Sequence, residues 1–159
     1  MSLRGGTKCL RSNLRGDLDM KIAIGADHGG YKLKESLIKF LKKEGHSVKD
    51  FGAFSEESCD YPIYGYKVAR SVGRARFSKG ILICTTGIGM SMVANKVKGA
   101  RAALCDRVDI ARLSREHNDA NVLVLAAKVT SLSKAKKITA VWLSTRALGG
   151  RHKRRVRQI

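Results

Sequence analysis

The stretch Gly80-Ile81-Leu82-Ile83-Cys84-Thr85-Thr86-Gly87-Ile88-Gly89-Met90-Ser91 decides how this chain is read. It opens on a short apolar, β-branched run bounded by turn residues, which predicts a strand buried on both faces of a parallel sheet. Cys84 ends that strand, and open parallel sheets bind their ligands at that edge. Gly87 and Gly89 permit a tight turn and a close backbone approach, and a helix starting there aims its unpaired N–H groups back at the cysteine. Helix N-termini favour thiolates, and the same amides hold oxyanions. Two readings follow for Cys84: a proton-transferring or nucleophilic thiol, or a small buried hydrophobe closing a strand.

Upstream, Lys21-Ile22-Ala23-Ile24-Gly25-Ala26 predicts a first strand, and Asp27-His28-Gly29-Gly30 leads into an amphipathic helix carrying Tyr31, Leu33, Leu37, Ile38 and Leu41. Asp27 and His28 therefore fall at the same kind of strand end as Cys84, although an aspartate there can serve simply as a helix cap. Gly45 stops the helix, and Ser47 to Phe51 is a short second strand. A loop from Gly52 to Pro62 carries Cys59-Asp60-Tyr61-Pro62, with Pro62 opening a helix that reaches about Val72. Tyr61 lines a pocket or merely packs. Gly73 to Lys79 is a basic connection, most simply solvated surface.

Downstream, a helix runs through Met90, Val93 and Ala94 to Asn95-Lys96. Arg101 to Cys105 is a fourth strand and Asp106 to about Arg115 a fourth helix. His117-Asn118-Asp119 follows as a turn, and Asn121 to Ala126 is a fifth strand. A last helix, Leu132 to Ala147, places Ile138, Val141, Trp142 and Leu143 on its apolar positions, and Gly149-Gly150 ends it. The tail Arg151-His152-Lys153-Arg154-Arg155-Val156-Arg157 is either solvated or suited to phosphate, whose oxygens match the paired donors of arginine. This alternation predicts an α/β fold: a Rossmann-like, doubly wound, five-stranded parallel sheet with helices on both faces. Gly87-Ile88-Gly89 is not the dinucleotide fingerprint, so the fold does not imply a dinucleotide.

The chain has 159 residues, 43% of them hydrophobic, enough for one domain over residues 20–159 with a basic C-terminal tail. Residues 1–19 set Arg4, Lys8, Arg11 and Arg15 among glycines and serines without apolar periodicity, and are expected to be a disordered basic leader. An upstream extension and a transit peptide both remain open for it. No apolar run approaches the roughly 20 residues that span a bilayer. Cys9, Cys59, Cys84 and Cys105 form no CxxC and no Cys/His ligand pattern, which points to a reduced, cytoplasmic protein without structural zinc. The net charge of +19 leaves two classes, a nucleic-acid binder or an enzyme for anionic substrates. Aromatic residues at 6%, with no RNP-like pattern, make nucleic acid the weaker reading.

Several motifs in order carry a resemblance: Gly25-x-Asp27-His28-x-Gly30, Asp60-Tyr61-Pro62, Ile81-Leu82-Ile83-Cys84-x-Thr86-Gly87-x-Gly89, Asn95-Lys96, Ser114-Arg115-x-His117-Asn118-Asp119-x-Asn121 and Gly149-Gly150-Arg151-His152-x-x-Arg155. From Met20 onward the chain resembles the ribose-5-phosphate isomerase B family, which includes the galactose-6-phosphate isomerase subunits. The resemblance implies interconversion of an aldose phosphate and its ketose through an enediolate, with no metal or cofactor. It matches Cys84 to the base that moves a proton between C2 and C1, and Thr86, with the backbone amides near Gly87 and Gly89, to the enediolate-stabilising group. His117 and Asp27 match the pair that opens the sugar ring. Asn118, His28, Arg151 and Arg155 match substrate or phosphate contacts, and Tyr61 matches a pocket wall. One branch of the family has a serine and, four residues later, a glutamate base; with Cys84 and Ile88 this chain resembles the cysteine branch.

Two departures stand out. Thr85 occupies a position where the family usually has glycine, and a β-branched residue tolerates positive φ poorly, so a changed or strained anion hole is expected. At Lys128 the family often has a phosphate-holding arginine; lysine keeps the charge and loses the fork. The motifs around His117 and Arg151 favour ribose 5-phosphate over galactose 6-phosphate, with allose 6-phosphate left open. Chain direction adds a constraint. Asp27 and Cys84 should meet at the carboxyl edge, at the switch point between the first and third strands. A fourth helix of roughly ten residues carries His117 about 15 Å back toward the other edge. The expectation is a homodimer, or a dimer of dimers, with shared active sites.

Overall fold

The computed structural model describes residues 19–159. The leader expected over residues 1–19 lies, but for Asp19, outside the described residues. Strands and helices alternate as β1 (Lys21–Ala26), α1 (Tyr31–Lys43), β2 (Ser47–Asp50), α2 (Tyr61–Gly73), β3 (Lys79–Cys84), α3 (Ile88–Asn95), β4 (Ala102–Leu104), α4 (Val108–Asn118), β5 (Val122–Ala126), α5 (Leu132–Ser144) and α6 (Gly150–Val156). A single 3-10 turn, His28–Gly30, joins β1 to α1. The five strands form one parallel sheet in the order β2-β1-β3-β5-β4. The strand order reverses between β1 and β3, so the expected switch point is where Asp27 and Cys84 stand.

The period-2 alternation of the central strands sorts the core into two layers. Ile22, Ile24, Ile81, Ile83, Leu123 and Leu125 face α1, α4 and α5, where Leu37, Leu41, Ala111, Ile138 and Trp142 close over them. Ala23, Leu82, Cys84, Val122 and Val124 face α2 and α3, against Val68, Ala69, Val72, Met90 and Ala94. Each fully buried Leu or Ile contributes about 1.5–3 kcal/mol. Lys34 shares the buried stripe of α1 with Leu37 and Leu41 and is itself fully buried. Its ammonium meets Asp50 at the end of β2 and Glu35 at 2.8 Å, an ion pair that ties α1 to the edge strand.

Two ends differ from the sequence expectation. α4 continues through His117 and Asn118, because Asp119 takes the left-handed conformation (φ 44°) that ends the helix. The last helix stops at Ser144, and Gly150 opens α6 instead of closing α5, so the basic tail is helical. Buried Arg115 fixes this corner. It donates to Thr145 O at 3.2 Å, Asp119 Oδ1 at 2.7 Å and Ala120 O at 2.6 Å, and its guanidinium lies over Trp142. Among the described residues no helix is long and apolar enough to cross a membrane.

Candidate active site

At the carboxyl edge of the sheet, Cys84 is the last residue of β3 and only 5% exposed. Gly87, at φ 75°, turns the backbone so that its N–H donates to Cys84 Sγ at 3.1 Å. That φ is one glycine takes without strain. The sulfur therefore sits at the mouth of α3, whose first-turn amides have no carbonyl of their own helix to bond. The strain expected at Thr85 does not arise, because the left-handed position falls on Gly87 and not on Thr85. The Thr85 hydroxyl packs instead against Gly29, where an added Cβ would lie 2.2 Å from Oγ1. Thr86 is exposed beside it, its Oγ1 accepting from Ile88 N–H at 3.4 Å.

The neighbouring strand ends complete this half-site. Ala26 pairs with Ile83, so Asp27 emerges next to Cys84, with its N–H on Ile83 O at 3.2 Å. Asp27 does cap: Oδ1 accepts from Gly30 N–H at 3.0 Å, which holds the carboxylate at the edge. The half-buried His28 accepts the Cys59 N–H on Nδ1 at 3.3 Å. In the neutral ring this leaves the proton on Nε2, ready to donate to an anion. Tyr61 starts α2 and lays its ring over Gly89, where an added Cβ would come within 2.6 Å of Cζ. Past the end of β5, Lys128 donates its backbone N–H to Thr85 O at 3.0 Å and leaves its ammonium exposed. Asp27, His28, Tyr61, Cys84, Thr86, Gly87, Gly89 and Lys128 thus share one edge.

His117, Asn118, Arg151 and Arg155 share the other. α4 ends at Asn118, and β5 begins at Val122 and climbs to Ala126, the partner of Cys84. Four residue steps at about 3.3 Å put His117 and Asn118 roughly 13 Å down the sheet from Cys84. There the imidazoles of His117 and His152 stack, centroids 4.3 Å apart and planes within 5°. Desolvation, followed by the charges of His117, Arg151 and Arg155, pushes His152 below the ordinary imidazole value, against the pull of Glu116. Arg151 and Arg155 are exposed on the same short helix. His152 stands in the Gly149-Gly150-Arg151-His152-x-x-Arg155 motif without a role of its own there, and the helical phase of α6 is what sets its imidazole on His117. Other motif residues prove architectural. Arg101 donates to Asp119 O and Oδ2, Asn121 accepts the Arg101 N–H at 2.7 Å, and Asn95 clips α3 to Ala102 through both ends of its amide.

A family profile described as Ribose/Galactose Isomerase matches residues 22–159. The chain belongs to this family. It is 45% identical over 139 residues to ribose-5-phosphate isomerase B of Escherichia coli, covering 87% of this chain and 93% of that one. Ribose-5-phosphate isomerase B of Clostridium thermocellum superposes with a TM-score of 0.86 at 52% identity, over 87% of this chain and 94% of the other. The Thermotoga maritima enzyme gives 0.85 at 47% identity, over 87% and 96%. The family membership and the fold expected from the strand pattern agree, and the protein is a sugar isomerase by descent.

Proposed function

We propose that this protein interconverts ribose 5-phosphate and ribulose 5-phosphate, in a dimer whose sites each combine the Cys84 edge of one subunit with the His117 edge of the other. The observation that carries the chemistry is Cys84 Sγ at the mouth of α3, held by the Gly87 N–H and beside Asp27. The reading assigns ring opening to His117 and Asp27, one giving a proton to the ring oxygen while the other takes one from the C1 hydroxyl. The Cys84 thiolate then takes the proton from C2 and the C1 carbonyl oxygen becomes the enediolate oxygen; the C2 hydroxyl passes its proton to that C1 oxygen as C2 becomes the carbonyl, and the same sulfur returns its proton to C1. Electrons and protons balance within substrate and thiol, so the reaction is an internal redox exchange between C1 and C2. The Thr86 hydroxyl and the first amides of α3 face the developing oxyanion, help worth about 3–4 kcal/mol for a well-placed donor. Arg151 and Arg155 offer bidentate donors to the phosphate, with His28 Nε2–H, Asn118 and Lys128 as further polar contacts.

Distance supports the dimer. Groups roughly 13 Å apart along one sheet do not serve the same C1–C2 pair, whereas a two-fold axis brings the opposite edges of two copies together. The chemistry needs Cys84 reduced, the state a cytoplasm maintains. The test is turnover of the purified protein on ribose 5-phosphate beside ribulose, allose and galactose phosphates. Fastest turnover of the pentose pair is expected; a hexose phosphate turned over faster would overturn the substrate, and no turnover of any sugar phosphate would overturn the reading.

A further inference from the structure

The C-terminal half of α2 carries a feature that isomerisation does not use. Lys67, Arg70 and Arg74 are spaced i, i+3, i+7 and so share one stripe of the helix and its end, and Arg76 follows in the turn to β3. Facing them are Phe51 just past β2, Phe54 in the next loop and Phe77 just before β3, and together they line a groove of about 490 Å³. Phe51 and Phe77 meet edge to face at 5.7 Å, while Phe54 is 69% exposed. Asp50, the one acid in this lining, is already engaged by Lys34 Nζ and the Gly52 N–H. Among the described residues none of the four cations pairs with a carboxylate. Part of the +19 charge is thus concentrated, without a carboxylate partner, around the exposed Phe54 ring and the half-buried Phe51 and Phe77.

The cationic end of the groove is separate from the catalytic edge, which its Phe54 end approaches through the Ala53 N–H on Ala26 O at 2.6 Å. Tyr61 marks that edge, and nine helical residues carry Arg70 roughly 13 Å away from it. Its volume falls in the range of small-molecule sites, about 300–1,000 Å³, which suits one nucleotide better than a strand. Three guanidinium forks suit phosphate oxygens, and the exposed Phe54 ring suits a planar heterocycle. A sugar phosphate would satisfy the first and leave the rings uncovered. We propose that this groove is a second ligand site that takes a free nucleotide, its base against Phe54 and its phosphates on Arg70, Arg74 and Arg76.

Calorimetric titration of the full chain with ATP, tripolyphosphate, ribose 5-phosphate and a short oligoadenylate tests this without relying on turnover. ATP should bind about tenfold or more tighter than tripolyphosphate, which has the charge without the base. Phe54→Ala should bring ATP down to the tripolyphosphate affinity, and Arg70→Ala with Arg74→Ala should weaken ATP about tenfold or more. These surface variants should keep the wild-type unfolding midpoint and the wild-type isomerase kcat/KM without nucleotide, and saturating ribose 5-phosphate should not displace ATP. ATP no tighter than tripolyphosphate would overturn the site. Displacement by ribose 5-phosphate would assign the binding to the catalytic edge instead, and oligoadenylate binding without ATP binding would make the groove a nucleic-acid surface.

Discussion

Two inactive variants should restore each other. Cys84→Ala removes the proposed base at one edge of the sheet and His117→Ala the ring-opening group at the other, roughly 13 Å away along β5. Each variant alone should fall by at least about 10²-fold, since general acid–base groups contribute about 10²–10⁴-fold. Mixed in equal amounts and allowed to exchange, random pairing makes half of the dimers mixed. In each mixed dimer one site inherits both defects and the other neither. Half of the dimers with half of their sites intact gives about a quarter of wild-type activity, far above the residual of either parent. The assay is ribulose 5-phosphate formation before and after exchange, with exchange itself followed by native mass spectrometry. Activity that stays at the parental level despite proven exchange would refute the shared site and return Cys84 and His117 to the same subunit's pocket. Recovery near a quarter would leave no intrasubunit arrangement able to account for it.

Further outcomes follow from single residues. Cys84→Ala should lower kcat by about 10²–10⁴ with KM little changed, because the phosphate contacts remain; steady-state kinetics check this. Cys105, fully buried, has its thiol pushed up to about 11 by burial, with Ser114 opposing and Asp106 adding. Iodoacetamide at about pH 8 should therefore label Cys84 in the native protein and Cys105 only after unfolding, as peptide mass mapping would reveal. The same shift has a sign: the unfolded thiol ionises near 9.0 and the folded one near about 11, so the folded state holds its proton longer. Stability should be lost as pH rises through that window, and a Cys105→Ala chain should lose less over the same range in urea titrations. Lys34→Ala should destabilise by about 2–5 kcal/mol, read as a shifted urea midpoint, since it empties a fully buried side-chain site and takes the cation from between Asp50 and Glu35.

Residue order alone carried the alternation of strands and helices, the two-sided burial of β3 and the placement of Asp27 and Cys84 at strand ends, because periodicity and turn chemistry are local properties. The switch point followed for the same reason, since parallel crossovers constrain which strand ends meet. Local signals failed at helix ends. Asp119 takes a left-handed cap held by Arg101 and Arg115, partners 18 and 4 residues away, so α4 kept His117 and Asn118. Gly149-Gly150 reads as a stop, yet Gly150 begins a helix whose His152 rests on His117. Thr85 reads as strained only if the left-handed position is assigned to it, and the turn puts that position on Gly87. No local signal sets Lys34 apart from the other lysines of α1; the edge strand, bringing Asp50 from 16 residues away, is what allows its burial. What the tertiary structure decided is therefore which distant groups share a space. It divided the proposed catalytic residues between two edges of one sheet and gathered Phe51, Phe54 and Phe77 opposite the cations of α2, because contacts between residues far apart in sequence depend on strand order and helix phase together, and neither is a property of any one stretch.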